Sequence, residues 1–178
     1  VEEVPKSTRL RSVLVAGLVV LIGLYLASPY YALWRLRAAL DSGDRSNLEA
    51  RIDFPSVRES MKNRMQGQLA EKMKDDKDLQ NNPFAAVGNS FGDTIINTAI
   101  DNLITPGAIS SFIADTKSAF QGSDQNGGAG KKLIDWSKVR FAFFTGPTRF
   151  TVNINDVKLH LGFNGLGWKL KDIEFAEE

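Results

Sequence analysis

The spacing of apolar and polar positions changes character twice along this chain. From Ser12 to Trp34 no residue is charged, and Val13 to Ala27 reads VLVAGLVVLIGLYLA. As a helix this run of about 23 residues spans roughly 34 Å, enough to cross a bilayer. Val13, Leu14, Leu18, Val20, Leu21, Ile22, Leu24, Tyr25 and Leu26 are its membrane-facing positions. Tyr30, Tyr31 and Trp34 follow where an interfacial aromatic belt belongs. Lys6, Arg9 and Arg11 precede the run, and Arg35 and Arg37 close it. The pattern divides the chain into a tail (1–11), a transmembrane anchor (12–34) and a soluble domain (35–178). A cleaved signal peptide is the competing reading. Tyr25 at −3 from Ala27, and Pro29 just beyond, fit a cleavage site poorly.

The next hundred residues keep a helical period. Ser28-Pro29 predicts a helix start, with Ser28 as N-cap and Pro29 at the first helical position. Whether this helix continues the anchor through a kink at Pro29 is open at this level. Leu33, Leu36 and Leu40 share one face, and Gly43 marks the stop. Asp44 caps a short helix carrying Leu48 and Ile52. Ser56-Val-Arg-Glu59 is a capping-box pattern opening a helix with Val57, Met61, Met65, Leu69 and Met73 on one stripe. It frays near Lys74–Asp78. Phe91, Ile95, Ala99 and Leu103 mark another amphipathic helix. Thr105-Pro-Gly107 ends it and starts the next, with Ile109, Phe112 and Ile113 apolar. Residues 121–132, QGSDQNGGAGKK, predict a flexible loop.

The last third alternates with period two. Val139, Phe141 and Phe143 form one series. Phe150, Val152 and Ile154 form a second, and Val157, Leu159, Leu161 and Phe163 a third. Gly146-Pro147, Asn155-Asp156 and Asn164–Gly167 supply the turns. In the last strand Trp168 and Leu170 have one parity, Ile173 and Phe175 the other. A bulge at Lys171-Asp172 restores a single buried face. The expected fold class is α+β: a transmembrane helix, then amphipathic helices packed on a four-stranded antiparallel meander.

Composition narrows the function. Lys and Arg number 22, Asp and Glu 21, with one His and no Cys. Near-neutrality argues against a nucleic-acid partner. No disulfide, thiol nucleophile or lipidated cysteine is available, so the helix must anchor the chain. No cofactor and no metal site is expected.

Several constellations that could carry chemistry have simpler readings. Gly88-Asn-Ser-Phe-Gly92 matches G-x-S-x-G, but lacks the alternating strands and helices of a nucleophile elbow. Ser90 reads better as a helix N-cap. His160, the one imidazole base, falls on the polar face of its strand. Gly127–Lys132 lacks the first glycine, the final Ser/Thr and the preceding strand of a P-loop. Asp75, Asp76 and Asp78 lack calcium-loop spacing. Lys169 and Lys171 read as edge protection, and Trp136 and Trp168 as core or sheet-rim residues. Met61, Met65, Phe141, Phe143, Phe150 and Trp168 are the candidates for lining an apolar pocket.

Some motifs carry a resemblance. Ser28-Pro-Tyr-Tyr-Ala-Leu-Trp-Arg-Leu, Gly43-Asp44, Asp53-Phe-Pro-Ser-Val-Arg-Glu59, Thr105-Pro-Gly107 and Gly167-Trp-Lys-Leu-Lys-Asp-Ile173 occur in that order. Together they resemble the family called domain of unknown function 2939, over most of residues 25–175. The resemblance implies a bacterial, membrane-anchored protein and supplies no catalytic residues. The closing Gly-Trp-Lys strand is similar to that of NTF2-like cones; an NTF2-like or cystatin-like cone is the fold this implies. The expected function is therefore a non-enzymatic, single-pass interaction module. It serves as an accessory or assembly subunit beside other membrane-protein subunits and membrane lipid. A short basic tail places the soluble domain in the periplasm, at the bacterial inner membrane. The alternatives are a tethered binder or sensor of an apolar ligand or lipid, and an enzyme using Ser90.

Overall fold

A computed structural model of the chain describes residues 6–75, 85–121 and 135–175. Its elements run α1 (Lys6–Ser42), α2 (Arg45–Arg51), α3 (Phe54–Asp75), α4 (Ala85–Leu103) and α5 (Pro106–Gln121). A short 3-10 turn at Trp136–Lys138 leads into β1 (Val139–Gly146), β2 (Arg149–Ile154), β3 (Val157–Phe163) and β4 (Trp168–Phe175). The strands form one antiparallel sheet in sequence order. The α+β class with an N-terminal apolar helix is as the pattern implied. The loop expected at 121–132 lies outside the described residues beyond Gln121.

The helix expected to start at Ser28 does not start there. α1 is one helix of 37 residues with Pro29 inside it. Proline has no N–H, so the carbonyl four residues back loses its usual donor. That carbonyl belongs to Tyr25, and the Ser28 hydroxyl donates to it at 2.6 Å. The local sequence thus supplies the bond that proline removes.

α1 has two parts with different surroundings. From Arg11 to Leu24 every side chain is exposed. From Tyr25 onward one face enters the domain: Pro29, Ala32, Leu36 and Ala39 are buried, with Tyr25, Leu33 and Leu40 packed beside them. By length and composition α1 qualifies as a membrane span, and a signal sequence meets the same criteria. The rest of the fold takes hold of α1 from Tyr25, about nine residues before Trp34.

Gly43 ends α1 at φ +72°, its N–H bonded to Ala39 O. α5 then closes this end. The Ser110 hydroxyl donates to Gly43 O at 2.6 Å, and Lys117 Nζ reaches the carbonyls of Asp41 and Ser42. A cation at free C-terminal carbonyls is favourable. Asp44 caps α2 as expected, accepting from Asn47 N–H at 2.8 Å. α3 starts earlier than the capping box suggested. Asp53 is the cap, accepting from Ser56 N–H, while Asp53 N–H donates to Leu170 O. One short connection therefore caps a helix and pairs with the outer edge of β4 through the Ile52–Leu170 bridge. Thr105 caps α5 through Ala108 N–H, with Pro106 as its first residue.

The core lies between α1–α3 and the sheet. Phe150, Val152 and Ile154 of β2, Leu159 and Leu161 of β3, and Trp168 and Leu170 of β4 meet Leu36, Leu48, Phe54 and Val57. The bulge expected in β4 is present: His160 pairs with Asp172 but Leu161 with Leu170, leaving Lys171 extra. Ile173 returns to the inner face, while Phe175 ends exposed.

Candidate functional site

Three features of the described surface have the makings of a site. The first is the junction of helix and sheet. Tyr25 packs against Phe144, Phe163 and Trp168, with ring centroids about 6 Å apart. Its hydroxyl donates to Pro147 O. Trp168 Nε1 donates to Ser28 Oγ at 2.7 Å. Tyr30 stacks edge-on against Phe150 at 4.9 Å and donates to Ala142 O. Tyr25 and Tyr30 are thus bound to the domain. Tyr31 and Trp34 do face outward, stacked on each other, and Arg35 donates to the Tyr31 hydroxyl at 3.0 Å.

The six residues expected to line an apolar pocket lie in different surroundings. Phe150 and Trp168 are buried and fill the core. Met61 packs on the rim of that core, and Met65 is exposed. Phe141 and Phe143 are 46% and 67% exposed, on the other side of the sheet. The reason is a bulge at Arg140. Val139 pairs with Ile154 but Phe141 with Asn153, so the parity of β1 flips after its first residue. Ala142 and Phe144 take the inner positions.

The second feature is an apolar row on α4. Phe91, Ile95 and Leu103, expected to be its packing stripe, are each 66% exposed. The packed side is Gly92, Ile96 and Ile100 instead. A Cβ on Gly92 would come within 2.8 Å of Leu69, so glycine sets how closely α4 approaches α3. Phe112 on the following helix is also exposed, while Ile113 is buried.

The third feature is a polar chain across the outer face of the sheet. Thr145 bonds Thr151, Thr151 bonds His160 Nδ1 at 3.0 Å, and His160 Nε2 faces Glu174 at 3.3 Å. Lys158 donates to Glu174 at 2.6 Å and holds its carboxyl below the usual glutamate range, helped by His160. Thr151 is buried in mid-strand, its hydroxyl held between Thr145 and His160. Beside it, Arg149, His160, Lys171 and Asp172 line an open cleft of about 390 Å³. Asp172 is engaged by Ser60 at 2.7 Å and by Arg64 at 3.0 Å.

Ser90 lies within α4, five residues past its first residue, and neither caps a helix nor sits at a strand-to-helix turn. Asp75 is the last residue of α3; Asp76 and Asp78 lie outside the described residues. Among the described residues no cluster of acidic and histidine side chains has metal-binding geometry.

A family model described as "Protein of unknown function (DUF2939)" matches residues 18–112. The chain belongs to this family. The DUF2939 match begins inside the apolar part of α1 and ends in α5 at Phe112. It therefore includes the exposed row of α4 and excludes the sheet, so the Gly167–Ile173 motif lies outside it. No curated protein and no solved structure matches the chain.

Proposed function

We propose that this DUF2939 protein is a single-pass, membrane-tethered interaction module without enzymatic activity. In this reading it is an accessory or assembly subunit of a bacterial membrane complex, with its domain in the periplasm. The observation that carries the reading is the outward row Phe91, Ile95 and Leu103 on one face of α4, with Phe112 also exposed on α5. Large apolar side chains exposed along one helix face mark interaction surfaces. A cut near Ala27 would remove Tyr25, whose ring and hydroxyl both hold the sheet. That supports a retained helix over a cleaved one.

The test compares the full chain with an Ile95→Asp/Leu103→Asp variant, each isolated from native membranes in mild detergent. The expected result is one membrane protein retained stoichiometrically by the parent and lost by the variant, with equal thermal stability. A parent that runs as a lone monomer, without any membrane protein, contradicts the proposal.

A further inference from the structure

We infer that the turn end of the sheet is a second membrane contact, seated on the bilayer beside α1. The inference rests on reading α1 as a span. From Val13 to Leu24 about 12 residues of the helix are exposed, about 18 Å of length. A hydrocarbon core is about 30 Å thick. Snorkelling by Arg11 recovers part of the difference at the other end. The remainder falls at the level of Tyr25, where the domain is already attached.

Two turns reach that level. Tyr25 bonds Pro147 in the β1–β2 turn and stacks on Phe163 and Trp168, which flank the β3–β4 turn. The two turns are joined by Phe163 N–H to Thr148 O at 3.0 Å. At the tip of the second, Leu166 is 98% exposed, with no packing role inside the domain. Its turn is held by Asn164, whose side chain accepts from the N–H groups of Leu166 and Gly167. With Asn164 N–H bonded to Gly167 O as well, three of the four turn N–H groups are satisfied internally, which lowers the cost of placing the tip in the interface. Arg149, the first residue of β2, pairs with Gly146 and Gly162 at this same end of the sheet, and its charge there favours anionic headgroups. The Asn155-Asp156 turn lies at the opposite end of the sheet. The partner of this surface is thus the lipid bilayer with anionic headgroups.

The chain has no cysteine, so single-cysteine labelling needs no background removal. Spin labels are placed on Leu18→Cys, Leu166→Cys and Asp156→Cys in the full chain. Vesicles contain phosphatidylglycerol and phosphatidylcholine in equal parts. Collision with oxygen and with a water-soluble nickel chelate reports immersion. Labels at 18 and 166 are expected to show a severalfold higher oxygen-to-nickel ratio than the label at 156. If 166 reads like 156 while 18 reads as lipid-embedded, the turn contact is overturned and the span stands. If 18 itself reads as aqueous, both fall. If 166 is shielded from both reagents, protein covers it and the lipid contact is overturned.

Discussion

The Trp168 indole donates to the Ser28 hydroxyl across 140 residues of sequence, at 2.7 Å. The same hydroxyl donates to Tyr25 O, the carbonyl that Pro29 leaves without a partner. One serine therefore repairs the helix at its proline and fastens the last strand to it. Ser28→Ala strands both a carbonyl and an indole N–H in a part-buried site, at a cost of about 1–3 kcal/mol. Trp168→Phe in the Ser28→Ala background is expected to cost less than it does alone. A double-mutant cycle on detergent-solubilised protein, read by thermal or chemical unfolding, measures that coupling.

The parity of β1 has its own consequence. Phe150→Ala removes a fully buried ring that touches Tyr30, Phe144 and Trp168, and is expected to cost about 3–5 kcal/mol. Phe143→Ala, on the outer face, is expected to change stability by about 0.5 kcal/mol or less. Comparable losses from both would restore the parity read from the sequence.

Much of the architecture was legible because its signals are local. Thr105-Pro106, Asp44 and the turns at Asn155 and Asn164 act through their own side chains or φ angles, so they read directly. The β4 bulge was legible too, because the apolar series there changes parity between Leu170 and Ile173. The bulge at Arg140 was not, since Phe141 and Phe143 continue an apolar alternation that conceals it. On α4 two stripes compete, and the bulkier one reads as core in the sequence. The packed one contains Gly92, whose lack of a side chain is what permits close contact with Leu69. The capping box at Ser56 lost to Asp53 because Asp53 is also fixed by pairing to Leu170. That tie is tertiary and has no local signature.

Glycines at two helix positions should respond with opposite sign. Gly43 has φ +72°, and a Cβ there would lie 2.8 Å from Ile113. Left-handed geometry costs a non-glycine residue about 1–2 kcal/mol before any clash. Gly67 lies within α3 with nothing near its missing Cβ. Gly67→Ala is expected to stabilise by about 0.4–1 kcal/mol, and Gly43→Ala to destabilise by more than that. Parallel denaturant titrations of the two variants check the contrast.

The Lys158–Glu174 pair adds acid sensitivity. The glutamate is held below its ordinary value of 4.5, chiefly by the Lys158 hydrogen bond. Its stabilisation is therefore complete above that ordinary value and fades as pH falls through the lowered folded value. Glu174→Gln is expected to flatten the acid limb of a stability–pH profile. The pair is partly exposed, so the effect is small. An unchanged acid limb would remove Glu174 from the account.

The central claim is that an outward apolar face of α4 meets another membrane protein. The most direct measurement places a photo-crosslinking residue at Ile95, at Phe112 and, as a control, at Asp156, in the full chain in its native membranes. The expected result is an adduct with the same integral membrane protein from positions 95 and 112, absent at 156 and abolished by Leu103→Asp. Membrane-embedded protein that gives no protein adduct from either apolar position would contradict it.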